Sequence, residues 1–273
     1  MSLKPYATFE DKFWYYGSRI VCVAVLAFLI LPILIIAPIS FTSGNMLVFP
    51  MPGFSTRWYE TVFHTQAWLD AAKNSLFIGL SATALALILG TLAALGLARS
   101  QSAWKPFIMG LVLSPIVIPI VITAVGIYFA FADFGLSGTY LGLILAHTAL
   151  AVPFVVVTVM ASLERFDFAL VRAASTLGAS PFTAFRRVIL PIIFPGVAAG
   201  GLFAFVTSFD EIVVTLFLAA PEQRTLPRQI FSGVREYVSP GIAAVATLLV
   251  CLSTLLLLTV QLLERRSRKY RNF

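Results

Sequence analysis

Charge is what this chain has least of. Only 11% of its 273 residues are Asp, Glu, Lys or Arg, against roughly 25% in an ordinary soluble domain. With 59% of the residues hydrophobic, that shortage excludes a water-soluble protein, since no core of this length could absorb so much apolar surface. The two cysteines, Cys22 and Cys251, are too few for a disulfide framework. Both lie inside apolar runs and read as small, buried apolar packers. The two histidines, His64 and His147, fall in different segments, and H-E-x-x-H is missing, so a zinc site is excluded. The sequence has no G-x-x-x-x-G-K-[ST] loop to cradle phosphates and no G-x-S-x-G elbow. It should therefore not bind and hydrolyse ATP by itself, and no elbow singles out a nucleophile among its many serines.

What the chain does have is long apolar runs. A helix needs about 20 apolar residues to cross a bilayer, and such runs recur near residues 20–41, 72–98, 107–131, 139–162, 193–219 and 241–263. The chain reads as an all-α, polytopic membrane protein with six transmembrane helices. The first run is longer than a signal-peptide core and no small-x-small cleavage site follows it, so it reads as a retained helix. The expected organisation is a segment 1–19, a first helix 20–41, a loop 42–71, a core 72–264 holding five helices and the loop 163–192, and a basic tail 265–273.

Positive charge orients the chain. Fourteen of the nineteen Lys and Arg residues flank one side, among them Lys4, Lys12, Arg19, Arg165, Arg172, Arg186, Arg187 and the cluster Arg265–Arg271. Arg57, Lys73, Arg224, Arg228 and Arg235 make up the other side. The positive-inside rule then predicts cytoplasmic termini and a cytoplasmic loop 163–192. The net charge of +7 follows from topology and anionic lipid headgroups, with no argument for nucleic acid.

The spans differ in character. Span two carries Gly79, Ser81, Ala82, Ala86, Gly90, Ala93, Ala94 and Gly96, and small residues at this spacing let helix backbones approach closely in lipid. Pro115 and Pro119 interrupt the backbone ladder of span three, and Pro153 that of span four. Interrupted backbone at membrane depth must be received by protein or a watery cavity. Together these features read as the walls of a pathway rather than a passive anchor.

His147, Asp210 and Glu211 are ionisable residues lying well inside spans. His147 reads as an interhelical hydrogen-bonding residue rather than a proton relay. In a continuous helix Glu211 would share a face with Ala204, Thr207, Ser208 and Thr215, and Asp210 with Phe203, Thr207, Val214 and Phe217. Two readings of the pair stand. It could make interhelical hydrogen bonds close to the outer interface. Alternatively it attracts or passes a cation, with Phe203 and its neighbours supplying cation–π contacts. Thr207, Ser208, Asp210, Glu211 and Phe203 are the candidate pathway residues, Glu211 being preferred to Asp210 for its smaller, more polar face.

The loop at 172–191 is basic and reads as a short amphipathic helix, a turn at Gly178, and a second short helix. A tight turn would join the flanking spans with fewer residues, so a folded loop implies a surface offered to another protein. Its residues resemble the cytoplasmic loop of binding-protein-dependent ABC importer permeases, whose pattern is E-A-A, three residues, Gly, nine residues, I-x-L-P. Ala173, Ala174, Gly178, Leu190 and Pro191 are in register, with Val188 in place of Ile and Arg172 in place of Glu. The resemblance implies that Arg172, Ala173, Ala174, Leu177, Gly178, Ala179, Phe182 and Pro191 form a coupling helix docking on an ATPase subunit. An ionic pairing from the motif's Glu does not carry over to Arg172.

Further segments narrow the resemblance to the second permease subunit of spermidine/putrescine importers: Phe54-Ser55-Thr56-Arg57-Trp58-Tyr59, Pro153-Phe154-Val155-Val156-Val157, Ser208-Phe209-Asp210-Glu211, Thr225-Leu226-Pro227 and Ser239-Pro240. It implies a type I importer fold in the bacterial inner membrane. It also implies a heterodimer with a sister permease, a homodimeric cytoplasmic ATPase that binds ATP and Mg, and an external substrate-binding protein. No cofactor is expected in this chain. Relatives importing opines, amino-acid-like amines or phosphonates look similar. A proton-coupled secondary transporter would instead need a carboxylate–histidine relay and inverted repeats, neither of which is clear. A membrane-embedded enzyme would need a convergent set of reactive residues, and none is visible.

Overall fold

A computed structural model describes the backbone of residues 8–236 and 239–271 and the side chains of 8–235 and 239–255. The chain is α-helical. In order come α1 (Phe9–Ile39), α2 (Arg57–His64), α3 (Gln66–Arg99), α4 (Lys105–Val117), α5 (Ile120–Ala132), α6 (Tyr140–Leu163), α7 (Ala169–Thr176) and α8 (Pro181–Ala184). A π-helical turn (Phe185–Ile189) leads into α9 (Leu190–Phe209) and α10 (Val213–Leu218), and a 3-10 turn (Pro221–Gln223) into α11 (Leu226–Glu236) and α12 (Pro240–Arg271). Two compact units result. One is Gln66–Phe231, and the other is the described part of Met1–Thr65 and Ser232–Phe273.

Helices α3, α6 and α9 form the centre of the Gln66–Phe231 unit. Their contacts are close because small residues line them. On α3 the buried face is Ala71, Asn74, Ser75, Ile78, Gly79, Ala82, Ala86, Gly90, Thr91, Ala94 and Leu97, a stripe at three- and four-residue spacing. A methyl group on Gly90 would lie 2.7 Å from Val155 Cβ of α6. On α9, Gly196 and Gly200 are one turn apart and both face α6. A methyl group on Gly196 would come 2.7 Å from the Thr158 carbonyl oxygen, and one on Gly200 2.5 Å from Thr158 Oγ1. This is the small-xxx-small packing by which helices associate where lipid gives no hydrophobic drive. Val155, Val159 and Ile193 fill the seam and are fully buried.

Helices α3, α6 and α9, the last running back to Pro181, are each long and apolar enough to cross a membrane, as is α1. The expected single span 107–131 is instead two helices bent by 107°. Each has 13 residues, about 20 Å, too short to cross alone. Pro119 explains the break. It forces the preceding residue into extended backbone, and Ile118 has φ −72°, ψ 134°. Pro153, by contrast, does not break α6, which runs on through it. The expected span 193–219 ends early. Residues Asp210–Ile212 leave the helix, and α10 restarts at Val213.

In the other unit α1 begins at Phe9, well before the apolar pattern starts. Thr8 and Asp11 form a capping box: Asp11 N–H donates to Thr8 Oγ1 (3.3 Å), and Thr8 N–H to Asp11 Oδ2 (3.0 Å). No residue of α1 is buried, as suits a helix apolar all round. The expected loop 42–71 contains α2 and the first turn of α3. It is ordered by Trp58 Nε1–H donating to Gly44 O (3.1 Å) and by a Ser40 Oγ–Tyr59 OH hydrogen bond (2.6 Å). α12 packs against α1 and α2. Cys22 and Cys251 are exposed, not buried. On lipid-facing helices an apolar side chain loses nothing by pointing outward.

The glycine seam predicts a specific sensitivity. Gly200→Leu should lower the yield and thermal stability of the detergent-extracted protein, by about 1–3 kcal/mol for an overpacked contact. Gly96→Ala, where no atom lies within 4 Å, should leave both unchanged. Equal melting of the two variants in a thermal-shift assay would contradict the close packing.

Candidate functional site

The loop joining α6 to α9 is a folded element. α7 ends in a Schellman turn, with Gly178 N–H donating to Ser175 O (3.0 Å) and Ala179 N–H to Ala174 O (3.0 Å). The turn requires φ +84° at Gly178, which only glycine adopts freely. Ser180 then caps α8 by accepting from Thr183 N–H (3.3 Å), with Pro181 in the first turn. The base of the loop is anchored by Phe166, Ile189 and Ile193, with Phe168, Val171, Phe185 and Val188 packed on them. The Arg99 guanidinium lies 5.6 Å from the Phe168 ring centroid. The tip is the reverse. Leu177 is 89% exposed and Phe182 70%, and Arg172, Ala173, Arg186 and Arg187 are also exposed. Large apolar side chains are thus held out by an ordered, well-anchored turn.

The acidic pair occupies the break between α9 and α10, so the two carboxylates do not belong to one helix as expected. Asp210 is the exposed C-cap of α9. Glu211 is half-buried and caps α10: its Oε1 accepts from Val214 N–H (2.9 Å) and its carbonyl from Thr215 Oγ1–H (3.1 Å). An N-terminal carboxylate of this kind satisfies an otherwise orphaned donor. His147 of α6, wholly buried, reaches both sides of the break. Its Nδ1 lies 2.8 Å from Ser208 Oγ and 3.1 Å from Ser208 O, and its Nε2 3.2 Å from Thr215 Oγ1. Of the other pathway candidates, Ser208 is buried with this group, while Thr207 is half-buried. Phe203 is exposed and stacks on Phe154 at 6.4 Å. The structure thus gathers Ser208, Glu211, Thr215 and His147 into one network and leaves Asp210 facing out. The loop and the break lie at opposite ends of α9, 20 residues apart, about 30 Å.

A third cluster went unread in the sequence. Asn74 Nδ2–H donates to Glu222 O (2.8 Å) and Arg224 O (3.0 Å), while its Oδ1 accepts from Tyr140 OH (2.9 Å). Leu226 N–H donates to Ser75 Oγ (2.7 Å), and Gln223 Nε2–H to Gly138 O (2.6 Å). These bonds tie the turn after α10 to α3 and α6. Beside them opens a cavity of about 450 Å³, lined among others by Asp70, Lys73, Asn74, Tyr140, Glu222 and Arg224. The available signal was Asn74, a polar residue on the small-residue face of span two.

Residues 86–269 match the family described as "Binding-protein-dependent transport system inner membrane component". The chain belongs to that family, and is a multi-pass protein of the bacterial inner membrane. It is 35% identical over 246 residues to the spermidine/putrescine transport system permease protein PotC of Escherichia coli (strain K12), covering 90% of this chain and 93% of that one. It is also 35% identical to the putrescine transport system permease protein PotI of the same strain, over 81% of each chain. A molybdenum transport system permease protein, ModB of Mycobacterium bovis, is 33% identical, covering 66% of this chain and 74% of that one. Among solved structures, a chain of a bacterial ABC transporter importing the acidic polysaccharide alginate matches with TM-score 0.74 and 15% identity. The match covers 94% of this chain and 99% of that one, and it shows that the fold is that of ABC importer permeases.

Asn74→Ala should loosen the turn after α10. It removes three hydrogen bonds and leaves the Arg224 carbonyl without its Asn74 donor, at about 1–3 kcal/mol where it stays dry, while the Glu222 carbonyl keeps Tyr140 OH (3.3 Å). Hydrogen exchange of residues 219–226 should quicken while that of α3 and α6 stays slow. Unchanged protection of the turn would show that Asn74 does not hold it.

Proposed function

We propose that this chain is a permease subunit of an ABC importer that moves a polyamine, a spermidine- or putrescine-like cation, into the cell. The observation that carries the reading is the 35% identity along 90% of the chain to a permease named for those two solutes. The carboxylates at the α9–α10 break support it. Two acids at a helix break, one exposed and one half-buried, favour a cation over an anion. Kinship with a molybdenum permease means that the shared framework alone does not choose the solute, so the acids bear that weight.

In this reading the chain pairs with a sister permease, two copies of a cytoplasmic ATPase and an external substrate-binding protein. The tip of the 163–192 loop, with Leu177 and Phe182 outermost, docks on the ATPase, which binds ATP and Mg. Nucleotide-driven closure of the ATPase pair moves the loop, and the permease pair opens toward the docked binding protein. Arg172 replaces the acid of the family pattern, so the ATPase surface facing it is acidic or solvated, since a facing cation would cost several kcal/mol if buried.

The test is uptake by the full complex in cells lacking other polyamine importers. Labelled putrescine or spermidine should accumulate, and molybdate should not. Glu211→Gln keeps a hydrogen-bond acceptor for Val214 N–H but removes the charge. Together with Asp210→Asn, it should cut polyamine uptake by at least tenfold, the scale of about 1.4 kcal/mol, with complex assembly and basal ATP hydrolysis intact. Normal polyamine uptake by the doubly neutralised protein would remove the two carboxylates from the pathway, and failure of the unaltered complex to accumulate either polyamine would remove the substrate assignment.

Coupling makes a separate prediction. Gly178→Asp places a side chain at φ +84°, costing about 1–2 kcal/mol in the left-handed region and distorting the Schellman turn. Substrate-stimulated ATP hydrolysis and uptake should both be lost while the protein still inserts. Full stimulation in a well-expressed Gly178→Asp complex would dissociate the loop from coupling.

A further inference from the structure

A histidine wholly buried in a membrane helix must have all of its hydrogen-bonding capacity met by protein. For His147 the partners lie on both sides of the break. Its Nδ1 is 2.8 Å from Ser208 Oγ and 3.1 Å from Ser208 O, and its Nε2 is 3.2 Å from Thr215 Oγ1. The Thr215 hydroxyl also bonds to the Glu211 carbonyl (3.1 Å). One chain of bonds runs from Ser208, in the last turn of α9, through His147 of α6, to Thr215 of α10 and back to Glu211. It spans the break from the last helical turn before it to the first one after it.

Few other bonds determine where that break sits. Asp210 N–H returns to Val206 O (3.0 Å) and Glu211 N–H to Ser208 O (3.4 Å). Both belong to the end of α9 and say nothing of the direction of α10. The apolar contacts of α10 are Val214 and Leu218 against Ile78, Ala124, Leu143 and Ala146. These hold its body, not the angle at which it leaves Asp210. His147 is the one polar side chain among the described residues bonded to both helices at once. It touches neither carboxylate.

We propose that His147 is a positioning residue: it fixes the geometry of the α9–α10 break and so aims the Asp210–Glu211 pair at the cationic solute. The inference rests on the reading of that pair as substrate-facing. The imidazole acts through the Ser208 and Thr215 hydroxyls, and the variants can separate its two arms. Asn at position 147 places an amide atom near where Nδ1 lies, keeping the bond to Ser208. Gln reaches further and keeps the bond to Thr215. Leu fills the space and makes neither.

Uptake of labelled putrescine by the assembled complex, measured against concentration, reads the effect. His147→Leu should raise the half-saturating concentration about tenfold, in proportion to the loss of buried hydrogen bonds, with maximal rate and complex yield close to those of the unaltered protein. His147→Asn and His147→Gln should fall between. In a Glu211→Gln background, His147→Gln should add nothing further, since two residues acting through one arrangement are not additive. Should His147→Leu fail to accumulate, Ser208→Ala and Thr215→Val each remove one arm, and each should raise half-saturation by a smaller factor. An unchanged half-saturating concentration in all the variants that assemble, or a fall in maximal rate alone, overturns the proposal. If Asp210→Asn and Glu211→Gln are themselves without effect, the substrate-facing reading has failed and the positioning role fails with it. If those two act and the His147, Ser208 and Thr215 variants do not, only the positioning role has failed.

Discussion

The structure depends first on the rule that a backbone in hydrocarbon must satisfy its own polar groups. A straight helix obeys it without help, and α1, α3, α6 and α9 do so. Every place where the chain stops being helical within an apolar stretch needs other partners, and those places are where its chemistry collects. At the α4–α5 bend, Ile118 N–H still reaches Ser114 O (2.9 Å), so the cost of Pro119 is confined to the turn itself. At the α9–α10 break the Glu211 side chain supplies what the helix no longer does, and Thr215 returns a hydrogen bond to its carbonyl. The carboxylate that would serve a cation is thus also the group that makes the break tolerable.

The second constraint is packing without a hydrophobic drive. Three helices held by lipid-independent contacts need shape complementarity, and here small residues provide it. Gly90 against Val155, and Gly196 and Gly200 against Thr158 and Val155, bring α3 and α9 onto α6 with no room for a methyl group. The same seam continues into the base of the loop through Ile189, Ile193, Leu163 and Phe166. The loop is therefore ordered from below, by apolar burial, while its tip stays bare.

Much of this could be read from residue patterns. The small-residue face of span two announced a central helix, because alanine and glycine at helical spacing have no other use in lipid. The helix–glycine–helix form of the loop was legible too, since Gly178, Ser180 and Pro181 are local signals whose meaning needs no tertiary context. What could not be read was continuity. Asp210 and Glu211 sit in a run of apolar residues with no Pro or Gly between Gly201 and Pro221, so periodicity extended the helix through them. The break is set by partners distant in sequence, His147 on α6 and the α5–α6 surface under α10, and a local pattern carries no trace of these. For the same reason nothing local singles out Asn74, whose partners lie at Tyr140, Glu222 and Arg224. Conversely, Pro153 looked like an interruption that the tight burial of α6 absorbs.

These features lie along one helix. α9 begins where the π-turn leaves the loop and ends at Asp210, and its interior face is locked to α6 by two glycines one turn apart. A helix so locked does not slide on its neighbour without separating from it, because the contact has no slack in which side chains could re-register. Displacing the loop therefore moves α9 and α6 as one body, and His147 rides on α6. Since the same histidine holds Ser208 at the end of α9 and Thr215 at the start of α10, motion of that body reaches α10 through hydrogen bonds rather than through helix continuity. A broken helix tied in this way carries its second half along with its first, although the backbone helix between them is interrupted. That is the mechanical property the proposed coupling would need, with the loop at one end of α9 and the carboxylates at the other.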